Sequence, residues 1–139
     1  MSKETAPILI VEDEPGIAEL LHFTLINAGF PVEIAATAAA ARDAVATRLP
    51  QLVVLDWMLP DASGLDLLQD WRADLRTAKL AVVMLTANGM DEDKARGLRA
   101  GADDFVTKPF SPRELITRVE ALLRARRSAG HMRTPELRT

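Results

Sequence analysis

Cysteine is absent from the 139-residue sequence, and histidine occurs only twice, at His22 and His131. Without thiols there is no disulfide, no thiolate nucleophile and no cysteine zinc site, and two isolated imidazoles do not build a histidine metal centre. Any metal must be held by oxygen. No apolar run approaches the roughly 20 residues of a membrane-spanning helix. The opening Met1-Ser2-Lys3-Glu4-Thr5-Ala6-Pro7 passes into a strand-like run without the apolar core of a signal peptide. These absences predict a cytoplasmic protein with no membrane contact. A surplus of positive charge is also lacking, and the formal net charge of -3 argues against a general nucleic-acid footprint on the folded part. What remains, 48% apolar and 27% charged residues, is ordinary for a single globular domain of this length.

Apolar runs alternate with helical patterns along the chain. Leu52-Val53-Val54-Leu55 is hydrophobic at every position, as a parallel strand covered on both faces requires, and it delivers Asp56 immediately before a turn closing at Gly64. Alone, Asp56 could equally end the strand or cap the turn. Ile8-Leu9-Ile10-Val11 is a similar run ending in Glu12-Asp13-Glu14, with Pro15 suited to open a helix whose apolar positions are Ile17, Leu21, Leu25 and Ala28, closed by Gly29. Val32–Ala35 reads as a second strand. Thr37 then caps an alanine-rich helix through Arg48, which Pro50 stops. Leu67, Leu68 and Trp71 stripe a third helix near Leu65 to Asp74, and Ala81–Leu85 is a fourth strand ending in Thr86-Ala87.

The following helix, about Asp91 to Ala100, carries few large apolar residues and should be the loosest packed, a candidate moving part. A fifth strand, Asp104–Thr107, leads to Lys108-Pro109. Ser111-Pro112-Arg113-Glu114 is a capping box opening a helix through about Arg126, where Arg124, Arg126 and Arg127 suit a helix C-terminus. Beyond Ser128 the pattern lapses, predicting a linker or disordered tail over 128–139 after a domain over 1–127. Alternating strands and helices imply a doubly wound α/β fold, a five-stranded parallel sheet of flavodoxin-like order 2-1-3-4-5.

In that order the strand ends converge, bringing together Glu12, Asp13, Asp56, Thr86 and Lys108. Clustered carboxylates raise one another's pKa unless a cation sits among them. Mg²⁺, which takes oxygen ligands and keeps waters that a phosphate oxygen can replace, meets that demand. The lysine ammonium and threonine hydroxyl suit a phosphoryl group, and an aspartate can be the nucleophile that receives it.

With these residues, Val11-Glu12-Asp13-Glu14, Leu55-Asp56-Trp57-Met58-Leu59-Pro60, Leu85-Thr86-Ala87, Gly101-Ala102-Asp103-Asp104-Phe105 and Thr107-Lys108-Pro109-Phe110, the chain resembles the CheY-like receiver domain of two-component response regulators from Pro7 to Arg127. The resemblance implies that Asp56 accepts a phosphoryl group from a sensor histidine kinase. It implies that Glu12, Asp13, Asp56 and the Met58 main-chain carbonyl hold Mg²⁺, that Thr86 and Lys108 contact the phosphoryl group, and that Lys108-Pro109 is cis. Such a domain catalyses only its own phosphorylation and dephosphorylation and is otherwise not an enzyme. Met58 and Asn88, at the rim, should set the phosphoryl lifetime.

Thr107-Lys108-Pro109-Phe110-Ser111-Pro112 and the Trp57 loop further resemble the winged-helix (OmpR/PhoB-like) transcription factor subfamily, in particular its regulators of phosphate-starvation genes. That resemblance implies a homodimer on phosphorylation through the fourth helix, fifth strand and fifth helix. Arg96 would pair with Glu114, and Asp104 with Arg118, across the twofold. It also implies DNA contact only through a C-terminal domain that these residues do not include; a stand-alone receiver acting on protein partners is the alternative. The switch aromatic, usually Tyr in the subfamily, is Phe105 here and has no hydroxyl to hold its outward rotamer. A flavodoxin-like cofactor binder shares the expected fold but would want a phosphate loop where Glu12-Asp13-Glu14 stands. A phosphatase with an aspartyl nucleophile would commonly carry a second Asp at the position of Met58.

Overall fold

The computed structural model describes residues 6–87 and 91–136, with side chains described outside 91–94 and 128–136. Five parallel strands, β1 (Ile8–Val11), β2 (Val32–Ala35), β3 (Leu52–Asp56), β4 (Val82–Thr86) and β5 (Asp104–Thr107), pair in the order β2-β1-β3-β4-β5. Between and after them run α1 (Pro15–Asn27), α2 (Ala38–Thr47), α3 (Gly64–Ala73), α4 (Asp91–Ala100) and α5 (Pro112–Glu136).

Strand alternation explains why β1, β3 and β4 are apolar throughout. Leu9, Val11, Val53, Leu55, Val82 and Met84 face α2 and α3, whereas Ile8, Ile10, Leu52, Val54, Val83 and Leu85 face α1 and α5. Each buried Leu or Ile contributes about 1.5–3 kcal/mol against exposure, before the cost of ordering the chain. Trp71 of α3 seals one core, and Leu115, Val119 and Leu123 of α5 help seal the other.

Helix ends follow their local chemistry. Thr37 Oγ1 accepts from Ala40 N at 3.0 Å, and Gly29, just past α1, has φ +97°. Ser111 Oγ accepts from Glu114 N at 3.0 Å, while the Glu114 carboxylate is engaged by Arg118 at 3.4 Å.

One expected boundary differs. α5 continues through Glu136 instead of ending near Arg126, so the first nine residues of the expected tail, 128–136, are helical. Ala129, Met132 and Arg133 there favour helix, whereas Gly130 costs about 1 kcal/mol and Pro135 about 3 kcal/mol against alanine, so intrinsic propensity does not account for the extension. Arg124, Arg126 and Arg127 therefore lie inside the helix, not at its C-terminus. Arg126 instead bonds the Asp103 carboxylate at 3.1 and 3.2 Å and the Lys79 carbonyl.

Candidate functional site

The sheet register sets the C-terminal ends of the central strands side by side. Val11 pairs with Leu55, Asp56 with Leu85, and Thr86 with Thr107, so the residues ending these strands share one edge. Trp57 N donates to Leu85 O and Lys108 N to Thr86 O, extending the ladder one residue past the strands. The result is an open cleft of about 580 Å³ whose lining includes Glu12, Asp13, Asp56, Met58 and Lys108.

Asp56 and Glu12 are almost wholly buried, whereas Asp13 is exposed. Lys108 Nζ lies 3.2 Å from Asp56 Oδ2 and 3.3 Å from Glu12 Oε1. The second approach lacks hydrogen-bond alignment, leaving the buried Glu12 Oε1 without a hydrogen bond among the described residues. Burial, and then the neighbouring Asp56 carboxyl, push Glu12 up to about 7. Burial works against the charged form of Lys108, but the carboxylates of Asp56 and Glu12 outweigh it and raise its pKa.

One carboxylate oxygen each from Glu12, Asp13 and Asp56 falls within 4.8 Å of the others, a spacing open to one cation. The donor set is all oxygen, which suits a hard divalent ion such as Mg²⁺. The orphaned Glu12 oxygen and its raised pKa are what a buried acid shows when its counter-charge is incomplete.

Thr86 is buried at the end of β4, and the Lys108-Pro109 bond is cis. The Met58 side chain is exposed, and its backbone N–H donates to Asp56 Oδ1 at 3.3 Å. Asn88 lies outside the described residues. Phe105 is half-buried against Gly97 of α4. On the expected dimer face, the Arg118 pair with Asp104 closes within one chain at 2.9 Å, while Arg96 stands over the Trp57 ring at 5.9 Å. His22 takes a structural place, edge-on to Phe23 at 6.1 Å.

Two residues of the β3–α3 turn escape sequence reasoning. Gly64 reads only as a turn residue, yet a Cβ there would sit 2.1 Å from the Asp56 carbonyl oxygen. Asp61 belongs to none of the motifs singled out in the sequence, yet its carboxylate accepts from Ala38 N and Ala39 N. Both contacts cross to another segment, so nothing local announces them.

The sequence matches the response regulator receiver domain family over residues 8–120. It is 47% identical over 122 residues to the phosphate regulon transcriptional regulatory protein PhoB of Escherichia coli (strain K12) and 44% identical over 117 residues to that of Pseudomonas aeruginosa, covering 84% of this chain in each case. The chain spans about half (51%) of the length of these curated relatives. Among solved structures, the CheY-like receiver domain protein of Methanospirillum hungatei JF-1 superposes with a TM-score of 0.83 at 29% identity, over 91% of this chain and 99% of that one. Fold, strand order and sequence kinship agree: the chain belongs to the response regulator receiver domain family, among relatives of PhoB type.

Proposed function

We propose that Asp56 is the phosphoacceptor of this receiver domain and that a sensor histidine kinase is the donor. The observation that carries the reading is the buried Asp56 carboxylate at the end of β3, held by Lys108 at 3.2 Å beside Glu12 and Asp13. An Asp56 oxygen attacks phosphorus, the N–P bond of the donor phosphohistidine breaks, and the imidazole departs with that electron pair, leaving an acyl phosphate on Asp56. Lys108 supplies a positive charge where the transferring oxygens gather, and the Thr86 hydroxyl supplies a hydrogen bond once transfer is complete. Glu12, Asp13, Asp56 and the Met58 carbonyl would hold Mg²⁺, which neutralises developing phosphoryl charge when bound. Its own phosphorylation and dephosphorylation are the only reactions the domain promotes.

The output is a change on the α4–β5–α5 face. As Thr86 is drawn toward the phosphoryl group, Phe105 moves inward, and the face pairs with a second copy through Arg96, Asp104, Glu114 and Arg118. Asp104 and Arg118 already bond each other within one chain, so dimerisation exchanges partners, and exposed pairs of about 0–1 kcal/mol set register more than affinity. Kinship with transcriptional regulators about twice as long supports a domain over 1–127 working in the cytoplasm. In that arrangement 128–139 is a linker, helical through Glu136, to a DNA-binding domain that acts on phosphate-starvation genes.

Incubation with Mg²⁺ and acetyl phosphate should attach one phosphoryl group per chain and convert monomer to dimer in sedimentation. Equal labelling of Asp56→Asn would overturn the assignment. Unchanged sedimentation on phosphorylation, or indifference of the dimer to Arg118→Glu, would overturn the proposed output face.

A further inference from the structure

We infer that Asp61 is a positioning residue for the cation site, acting by fixing the turn that carries the Met58 carbonyl. The inference rests on the proposed metal role of that carbonyl. The turn after β3 is internally tight. Met58 bridges Ser63, Leu59 N donates to Ala62 O at 3.2 Å, and Gly64 N donates to Trp57 O at 2.7 Å. Those bonds fix the shape of the turn but not its bearing on the rest of the fold, because every one of them closes between residues 57 and 64.

Asp61, at the tip, supplies the missing tie. Its Oδ1 accepts from Ala38 N at 2.8 Å and its Oδ2 from Ala39 N at 3.0 Å, across 23 and 22 residues of sequence. The first backbone N–H groups of α2 have no intrahelical partner and must find one elsewhere. Thr37 takes only the one from Ala40. A planar carboxylate bonded through both oxygens cannot swivel, so the tip is anchored to a helix packed on the same core as α3. The two backbone bonds also hold the Asp61 carboxyl below its ordinary pKa, as expected of an acid bound in its charged form.

Met58 lies three residues from this anchor. Without the tie the turn keeps its base bond between Trp57 and Gly64, the Met58 N bond to Asp56 Oδ1 at 3.3 Å and the packing of Leu59 and Ala62 on the core, but its tip is no longer fixed to α2 and the bearing of the Met58 backbone is less firmly set. A carbonyl ligand contributes to cation binding only when its direction is set in advance, which is why groups behind the ligands matter to affinity.

The test is Mg²⁺ titration of the full chain followed by Trp57 fluorescence, with thermal melts run in parallel. Asp61→Ala should raise the Mg²⁺ dissociation constant roughly tenfold, as loss of a supporting group commonly does. Asp61→Asn, which keeps one acceptor oxygen, should fall between. Thr37→Ala removes a cap of the same helix without touching the turn, and it should lower Tm while leaving the constant within about twofold of the parent. If Asp61→Ala and Thr37→Ala shift Mg²⁺ affinity equally, or Asp61→Ala lowers only Tm, the residue is merely a cap and the inference falls. Failure of the unsubstituted chain to bind Mg²⁺ would instead overturn the metal reading itself, and this inference with it.

Discussion

The Phe105 ring lies so close to Gly97 of α4 that a methyl group at position 97 would sit 2.4 Å from Phe105 Cζ and 2.7 Å from Cε1. A side chain on α4 is therefore incompatible with the position the ring now occupies. Gly97→Ala should displace the half-buried ring from this position. The helix-propensity gain of up to about 1 kcal/mol offsets much of the displacement, leaving overall stability nearly unchanged. Dimerisation at a given degree of phosphorylation should change severalfold, measured by sedimentation with acetyl phosphate. Unaltered dimerisation would show that the ring position does not report on the output face.

At Gly64 the obstruction is backbone, which cannot rotate away. A Cβ would approach the Asp56 carbonyl oxygen to 2.1 Å, and Gly64→Ala should destabilise the fold by roughly 1–3 kcal/mol, the usual cost of overpacking. Because the strained atom belongs to Asp56, phosphorylation should slow more than the stability loss alone implies. Urea denaturation and timed acetyl phosphate labelling on the same sample separate the two.

The pH response follows from Glu12. Burial raises its pKa from an ordinary 4.5 to about 7, so between those values the folded chain holds a proton that the unfolded chain has released. Stability of the metal-free protein is then greatest at the acid end of this window and falls as pH rises toward 7. Mg²⁺ binding must expel that proton, so its affinity should rise over the same range and level off above it. Thermal melts from pH 4.5 to 8 should show a flatter profile, and a higher Tm at pH 8, for metal-free Glu12→Gln. A slope identical to the parent's would assign the effect to another group.

Asp103 gathers Val82 N at 2.8 Å, Arg72 Nη2 at 3.2 Å and Arg126 Nη2 at 3.1 Å on its carboxylate. Its removal strands the Val82 backbone donor and takes the counter-charge from two guanidinium groups that keep backbone-carbonyl partners. Asp103→Ala should cost about 1–3 kcal/mol in urea denaturation, and Arg126→Ala less, since Arg126 is the more exposed guanidinium.

Strand order and the composition of the cleft were legible because both depend on patterns written into short stretches. An all-apolar run as short as Leu52–Leu55, bounded by turn residues, fits a strand covered on both faces, and the acid at its end then emerges at the sheet edge. Contacts that cross between elements left no such trace. Asp61 looks like any turn acid until α2 is seen beside it, and Gly97 looks like a weak spot in a polar helix until Phe105 is seen against it. The end of α5 was misplaced for a different reason. Its last turns lack the apolar spacing by which a packed helix is recognised, and Gly130 and Pro135 read as helix breakers, so nothing in the local sequence announces the extension.

Asp103 sits at the opposite end of the sheet from Asp56, where it ties the start of β4 to α3 and α5. That tie acts as a fulcrum. With one end of this side of the molecule pinned, the proposed pull on Thr86 at the other end would be resolved as tilt instead of sliding, with α5 as the long arm of the lever. A displacement too small to repack the core would then become a change in the bearing of a 25-residue helix, about 37 Å long at 1.5 Å per residue.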